Sequence, residues 1–262
     1  MPHITASDGV RTYYETAGEG RPLLLITGAF GTLEAWYEYG WVDALSAERR
    51  LIMIDLRGHG RSDKPHDAAA YGWRKNATDA LAVLEAESAT GADVFGQSMG
   101  GQVVIALLHA DTSRIRSLAA NGAYPMPEPL GRPIGRMLKR AKMLRDEGMV
   151  GTTHANEGTP ALPGEEPSAA NRARVMSGDA EAFACEAEGQ ALMDDQHLPS
   201  SGPPTMFFAA EHDPLAVRTC EDLPSKFPYA RYTYLAGESH FVTRKPATFI
   251  PLLREFWSTL PV

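Results

Sequence analysis

The sequence VFGQSMGG, residues Val94 to Gly101, breaks an apolar run with glycine and places a single serine, Ser98, between small residues. Core packing explains the two apolar residues but not the glycines on both sides of the serine. The pentapeptide that starts at Gly96 fits G-x-S-x-G, a strand-to-helix turn that holds serine in a strained backbone geometry. Ser98 is therefore expected at the carboxyl end of a strand, with the N-terminus of a helix behind it.

Apolar runs on both sides of this stretch predict a mostly parallel sheet. Continuous apolar strands that end in glycine suit parallel strands buried on both faces, and apolar residues at helical spacing lie between them. The predicted strands are 11–16, 22–27, 51–55, 92–96, 117–121, 205–213 and 231–237, and the predicted helices of this part are 76–87, 99–110 and 246–260. The predicted fold class is α/β, a doubly wound sheet with helices on both faces.

Residues 124–203 interrupt this alternation. They are rich in proline, glycine, methionine and charge, with helical patterns at 136–147 and 179–193 and no convincing strand. The segment is too long for an ordinary connection between two elements. We predict one core domain formed by residues 1–123 and 204–262, with residues 124–203 inserted as a mostly helical lid.

Composition and charge restrict the possible partners. The 262 residues are 44% hydrophobic and carry a formal net charge of −8 without a block of Lys and Arg, which argues against a nucleic-acid or anionic-membrane surface. No apolar run approaches the roughly 20 residues of a membrane span. The first residues show no secretory signal, so a cytoplasmic location is expected. Cys185 and Cys220 fit neither a disulfide framework nor a zinc site. We expect a small-molecule substrate, no metal and no organic cofactor.

A nucleophilic serine needs a base to accept its proton and an acid to orient that base. His240, in AGESHFV, follows the last predicted strand, and Asp213, in AAEHDPL, ends the strand before it. The order Ser98, Asp213, His240 is the nucleophile, acid, base order of one known arrangement. Glu211 and the strand end at Asn121 are the competing positions for the acid, and Asp213 is preferred.

Other polar residues of these segments are interpreted as structural. His59 lies in a turn, and Asp55 and Arg57 are expected to close a strand and the turn after it. Trp36 and Trp41 could contribute to a pocket, although large aromatic residues are more often part of a core.

Five segments in this order resemble the α/β-hydrolase fold superfamily, in its lid-bearing serine esterase and lactonase type. They are LITGAFG, DLRGHGRSDKP, GQSMGG, AEHDP and GESHF. The resemblance implies an oxyanion hole made by two backbone N–H groups, one from Met99 and one from the loop after an early strand. That loop is Thr27-Gly28-Ala29-Phe30 where the family usually has His-Gly. Aligning the glycines assigns the second donor to Ala29, with Phe30 as the next possibility.

The resemblance implies a serine hydrolase that cleaves carboxylic esters or lactones through an acyl-enzyme on Ser98. Carbon–carbon bond hydrolases and cofactor-free perhydrolases use the same groups, and some proteins of this fold are small-molecule receptors, so these alternatives stay open. The substrate-binding candidates are Phe30, Trp36, Trp41 and Met126. The methionines of the lid favour an apolar substrate; they are Met126, Met137, Met143 and Met149.

Overall fold

A single eight-stranded sheet organises the chain. The computed structural model describes residues 2–123, 125, 134–152, 161–191, 198–213 and 223–260. The strands are β1 (His3–Thr5), β2 (Arg11–Ala17), β3 (Arg21–Ile26), β4 (Arg49–Ile54), β5 (Ala92–Gln97), β6 (Ile115–Asn121), β7 (Thr205–Ala210) and β8 (Ala230–Leu235). Their order in the sheet is β1-β2-β4-β3-β5-β6-β7-β8. The strands β4, β3, β5, β6, β7 and β8 run parallel, while β1 and β2 pair antiparallel at one edge.

Helices cover both faces of this sheet. The α-helices formed by the described residues are α1 (Glu34–Glu38), α2 (Trp41–Leu45), α3 (Trp73–Ala86), α4 (Met99–Leu107), α5 (Ile134–Glu147), α6 (Ala169–Met176), α7 (Ala180–Ala191), α8 (Leu223–Lys226) and α9 (Pro246–Ser258). Residues of α3, α4 and α8 pack on one face of the sheet, and residues of α1, α2 and α9 pack on the other. The prediction of a doubly wound, mostly parallel α/β sheet is confirmed.

The central strands are buried on both faces, as their apolar sequences require. Leu24 and Ile26 of β3 belong to the core with α3 and α4, whereas Leu23 and Leu25 belong to the core with α2 and α9. All four side chains are fully buried. Because successive side chains of a strand point to opposite faces, one uninterrupted apolar run supplies both cores.

The chain order creates a crevice at the carboxyl ends of β3 and β5. After β3 the chain moves to β4 on one side, and after β4 it returns to β5 on the other side. The loops that leave β3 and β5 therefore diverge from neighbouring strand ends. Ligands of open α/β sheets bind at such a switch point.

Two sequence predictions need correction. The strand of TMFFAAEHD ends at Ala210 and not at Asp213, because Glu211 and His212 form a turn in which the Asp213 N–H donates to the Ala210 carbonyl over 2.9 Å. The short elements β1, α1, α2, α6 and α8 are absent from the sequence prediction, since three to eight residues give too little periodicity to recognise.

The described residues between β6 and β7 form the helices α5, α6 and α7 with turns and irregular segments between them, and we call residues 134–152, 161–191 and 198–203 the helical insertion. Its helices α5 and α7 pack on each other through Ala141, Leu144, Phe183, Ala184 and Ala187, and Phe30 of the β3 loop joins the same cluster. The insertion therefore lies against the switch point. Within the described ranges, no helix has the length and apolar character of a membrane span.

A buried ion pair fixes the loop after β4. The Arg57 guanidinium is 1% exposed and donates to both carboxylate oxygens of Asp79 on α3 over 2.8 Å, and it pairs with Asp8 over 2.9 Å. The side chain of Asp79 is fully buried. Burying either charge alone would strongly destabilise the folded state, so the protein needs both partners of this pair.

Replacing Asp79 by alanine is expected to destabilise the protein by about 3–5 kcal/mol, because it leaves a buried guanidinium short of its main partner. The check is urea denaturation, read as a lower midpoint at constant m-value. Glu48→Ala is the matched control, since its ion pair with Arg254 is about half exposed on both sides, and it should cost below about 1 kcal/mol. Equal costs for the two variants would contradict the prediction.

Candidate active site

Ser98 lies at the junction of β5 and α4 in a backbone conformation that few residues adopt. Its φ is 55° and its ψ is −112°, a combination that costs a non-glycine residue about 1–3 kcal/mol. Its N–H donates to the Asn121 carbonyl at the end of β6 over 2.7 Å. A side chain on Gly96 would collide with the backbone of Gly100, so the strand and the helix can approach this closely only with glycine there. Ser98 is held in place by the fold around it.

The structure brings Ser98, His240 and Asp213 into one hydrogen-bonded chain. His240 Nε2 lies 2.8 Å from Ser98 Oγ, and His240 Nδ1 lies 2.7 Å from Asp213 Oδ2. Asp213 is 7% exposed. In this geometry the carboxylate accepts from Nδ1–H, which leaves the Nε2 lone pair to accept the serine proton. These are the three residues selected from the sequence.

The main chain of His240 is tied directly to the serine turn. Its carbonyl accepts hydrogen bonds from Gln97 Nε2 over 2.8 Å and from Asn121 Nδ2 over 3.2 Å. Asn121 Nδ2 also donates to Gln97 Oε1 over 2.8 Å. Gln97 and Asn121 face each other in the register of β5 and β6. Asn121, weighed in the sequence as a position for the acid, therefore supports the histidine loop.

A buried carboxylate of the helical insertion holds the same histidine loop. Glu165 is fully buried, accepts from the Ser239 hydroxyl, and lies 3.1 Å from Lys245 Nζ. Its backbone carbonyl accepts from Arg244 Nη1 over 2.7 Å. The residues on both sides of His240 are thus fastened to the insertion as well as to the sheet.

The loop after β3 lies against Ser98. A Cβ on Gly28 would be 3.0 Å from Ser98 Cβ and 3.7 Å from its Oγ, so the glycine allows the close approach. The backbone N–H groups of Ala29 and Met99 donate to no other described residue. Met99 is the first residue of α4, where backbone N–H groups lack helical acceptors. The two segments that adjoin Ser98 therefore each carry a backbone N–H with no acceptor among the described residues.

Phe30 is not a third donor, because His59 engages its N–H. The Phe30 N–H donates to His59 Nε2 over 3.1 Å, and His59 Nδ1 lies 3.1 Å from the Arg57 carbonyl. Burial lowers the pKa of His59 to about 4, so the ring is neutral and carries its proton on Nδ1. Phe30 itself has a φ of 63°, unusual for a bulky side chain. His59, interpreted from the sequence as structural, stabilises this strained loop.

The helical insertion covers the site with one face of α7. Phe183 packs edge-on against both Phe30 and His59, with ring centroids 5.0 and 4.8 Å apart. Gln190 Nε2 lies 3.3 Å from Met99 Sδ. Glu186 lies between these contacts on the same face, with Oε2 3.9 Å from His59 Nε2.

Sequence reasoning missed Glu186 and Gln190. Their signal is present, since Phe183 and Ala187 set the buried face of α7 and the two polar residues occupy core positions on it. Polar side chains at core positions of an amphipathic helix indicate a polar partner.

The tryptophans selected as substrate-binding candidates belong to the core. Trp41 is fully buried, stacks on Phe95 at 5.2 Å between centroids, and donates from Nε1 to the Thr243 carbonyl over 2.8 Å. Trp36 is 4% exposed and packs edge-on against Trp41. This placement corrects the expectation that they contribute to a pocket, and the reason is the large apolar area that each buries on the sheet.

The other binding candidates have different outcomes. Phe30 lies beside the site and in contact with the insertion, and Met126 lies outside the described residues. Of the insertion methionines, Met149 packs in the cluster between α5 and α7. In the part of the chain that the structure describes, no group of three His, Cys, Asp or Glu side chains is arranged to hold a metal ion.

Comparison with known proteins agrees with this architecture. Residues 21–147 match a family model described as alpha/beta hydrolase fold. The chain is 33% identical over 144 residues to the 2-hydroxymuconate semialdehyde hydrolase of Pseudomonas sp. (strain CF600), a match that covers 52% of this chain and 50% of that protein. The chain thus aligns with only about half the length of this curated relative.

Solved structures align along nearly the whole chain. An esterase from Exiguobacterium antarcticum superposes with a TM-score of 0.83 at 20% identity, over 98% of this chain and 99% of that one. The enol-lactonase from Burkholderia xenovorans LB400 superposes with a TM-score of 0.81 at 24% identity, over 98% and 100%. Together with the strand order and the turn at Ser98, these matches show that the chain has the α/β-hydrolase fold.

Proposed function

We propose that the protein is a serine hydrolase that cleaves carboxylic esters or lactones, with Ser98 as nucleophile, His240 as general base and acid, and Asp213 as the residue that orients the histidine. The observation that carries this proposal is the hydrogen-bonded chain of the three side chains on a serine held at positive φ. The esterase and lactonase among the structural neighbours share the fold and are consistent with it.

The proposed reaction proceeds through an acyl-enzyme. Ser98 Oγ attacks the carbonyl carbon while its proton passes to His240 Nε2, and the oxyanion accepts hydrogen bonds from the N–H groups of Met99 and Ala29. The bond to the alcohol then breaks, and Nε2–H protonates the leaving oxygen. Water attacks the acyl-enzyme, gives its proton to Nε2, and the acid leaves as Ser98 regains its hydrogen. Asp213 stays ionised throughout.

Carbon–carbon bond hydrolysis is the second candidate, and the similarity to a 2-hydroxymuconate semialdehyde hydrolase favours it. The same serine and histidine could serve that reaction. A protein that is labelled by a fluorophosphonate but hydrolyses no ester or lactone would favour this candidate or a receptor over the ester hydrolase.

We further propose that the helical insertion acts as a lid. Its α7 packs over Phe30 and Met99, and its Glu165 fastens the loop of His240. Residues on the face of α7 are therefore the natural determinants of substrate choice.

Replacing Ser98 by alanine is expected to lower kcat for p-nitrophenyl esters or lactones by at least about 10⁴-fold, because no other group can form the acyl-enzyme. Fluorophosphonate labelling should vanish in the same variant. Ser88→Ala is the matched control: Ser88 also has a positive φ, 50°, but is exposed at the end of α3. Labelling that persists in Ser98→Ala would exclude Ser98 as the nucleophile.

Asp213→Asn is expected to lower kcat by about 10³–10⁴-fold, because an amide neither holds the required tautomer nor stabilises the imidazolium. Glu211→Gln tests the competing acid. Glu211 accepts a hydrogen bond from the Gly237 N–H and has no place in the proposed chain, so its variant should keep activity within about twofold. Steady-state kinetics with one ester decide the assignment, and a larger loss in Glu211→Gln would reverse it.

His59→Phe removes the acceptor of the Phe30 N–H while keeping a ring, so the neighbouring Ala29 N–H should lose its alignment. We expect kcat to fall about 10- to 100-fold with a smaller change in KM, since one oxyanion donor accounts for about 10²–10³ in kcat. Because the pKa of His59 is about 4, its own protonation should not affect the wild-type rate above about pH 5.

The control is His66→Phe, whose exposed ring contacts only Asp179 among the partners described for it. This variant should retain the wild-type kcat. A His59→Phe enzyme that is fully labelled by fluorophosphonate and turns over at the wild-type rate would contradict a positioning role for His59.

A further inference from the structure

One ionisable side chain beside the proposed active site has no partner that explains it. Glu186, in the middle of α7, is 4% exposed, and its Oε1 has no hydrogen-bond partner among the described residues. Its Oε2 lies 3.9 Å from His59 Nε2, too far for a hydrogen bond. Buried polar groups are almost always paired, so an unpaired one needs a specific explanation.

The face of α7 places Glu186 over the site. Phe183, Glu186 and Gln190 are spaced three and four residues apart and share that face. Phe183 contacts Phe30, which follows one proposed oxyanion donor, and Gln190 contacts Met99, the other. The helix between these two contacts therefore lies against the segments that carry the proposed oxyanion donors, and Glu186 is the acidic side chain on the face that makes the contacts.

The surroundings of Glu186 favour its uncharged form. Phe183, Ala184 and Ala187 make an apolar environment, and the lone pair of His59 Nε2 is already occupied by the Phe30 N–H. Burial raises the pKa of Glu186 to about 8, and the charge of Arg140 offsets only part of this effect. Burial, and after it the charge of Glu186, raises the pKa of Tyr71. A neutral carboxylic acid presents an O–H donor.

A second donor adjoins the same place. The Arg140 guanidinium lies 5.5 Å from the centroid of the Phe30 ring and forms no hydrogen bond with another described residue. A carboxylic O–H group and a guanidinium are both hydrogen-bond donors, and an oxygen atom can accept from either. A substrate with an all-hydrocarbon chain at this position would leave both donors without an acceptor.

We propose that Glu186 is a substrate-specificity residue that donates a hydrogen bond to an oxygen atom of the substrate other than those of the scissile ester. The substrate class is then oxygenated esters or lactones, which carry a ketone, ether or hydroxyl oxygen in addition to the reacting group. This inference rests on the proposed hydrolase function and deepens it. It also narrows the expectation of an apolar substrate that the methionines suggested.

The experiment compares ester pairs that differ by one oxygen on either side of the scissile bond. The pairs are p-nitrophenyl pentanoate with p-nitrophenyl 4-oxopentanoate, and butyl acetate with 2-methoxyethyl acetate. The readout is the ratio of kcat/KM within each pair, divided by the ratio of the alkaline hydrolysis rates. In the wild type we expect about a tenfold preference for the oxygenated member of at least one pair, equivalent to about 1.4 kcal/mol.

Variants of Glu186 test whether this side chain causes the preference for the oxygenated ester. Glu186→Leu should reduce the ratio to below about twofold, whereas Glu186→Gln should keep most of it because the amide retains an N–H donor. Glu188→Gln is the matched control: Glu188 is on the same helix but pairs with Arg145 on the outside, so its ratio should equal the wild-type ratio. Because each ratio compares two substrates of one enzyme, it does not depend on the fraction of active protein. If Glu186→Leu fails to fold, Glu186→Asp replaces it, and the retracted carboxyl should likewise lower the ratio.

Two results would overturn the inference while leaving the hydrolase intact. One is a wild-type ratio below about twofold in both pairs, and the other is an undiminished ratio in Glu186→Leu. Failure of the underlying function looks different: no ester would be hydrolysed and no fluorophosphonate would label Ser98.

Discussion

Ser98 has a strained backbone conformation that the surrounding strands and loops hold in place. The chain can turn from β5 into α4 over so short a distance because residue 96 is glycine. A Cβ atom at this position would collide with the backbone of Gly100. The positive φ of Ser98 is costly by itself, so the surrounding sheet has to impose it. The Ser98 N–H bonded to the end of β6 is one such restraint. This turn packs beside the end of β3, at the crevice that the strand order creates.

Each group around the serine is held by contacts that come from a different part of the fold. Gln97 and Asn121 fix the carbonyl of His240, so the strand register of β5 and β6 positions the histidine. His59 fixes the loop after β3 through the Phe30 N–H. The loop that carries His59 is in turn anchored to α3 by the buried pair of Arg57 with Asp79. The geometry of the site therefore depends on the neutral hydrogen bonds of Gln97, Asn121 and His59 as well as on charged groups, among them the Arg57–Asp79 pair.

Much of this arrangement could be predicted from the sequence because it is local. A few consecutive residues are enough to recognise each apolar strand, the glycine-flanked Ser98, and the segments that contain Asp213 and His240. The order of the three residues follows from the positions of these segments. The roles of His59 and Asn121 could not be read in this way, because each depends on a partner about 29 or 119 positions away that only the folded sheet brings near. The positions of Trp36 and Trp41 could not be predicted from the sequence for a different reason. A tryptophan next to a predicted loop has the same sequence pattern whether it faces a ligand or the core.

The fastening of the His240 loop by Glu165 has a consequence for how this fold can be recombined. Glu165 belongs to the helical insertion, while Ser239, Arg244 and Lys245 belong to the segment between β8 and α9. Two chain segments that are separate in sequence thus share one buried carboxylate. An insertion transplanted from another protein would have to bring an equivalent acid, or the Ser239 hydroxyl would lose this acceptor and Lys245 would lose one of its two described acidic partners. Exchanging this region between proteins would therefore alter the contacts that hold the His240 loop as well as the access of substrate to the site.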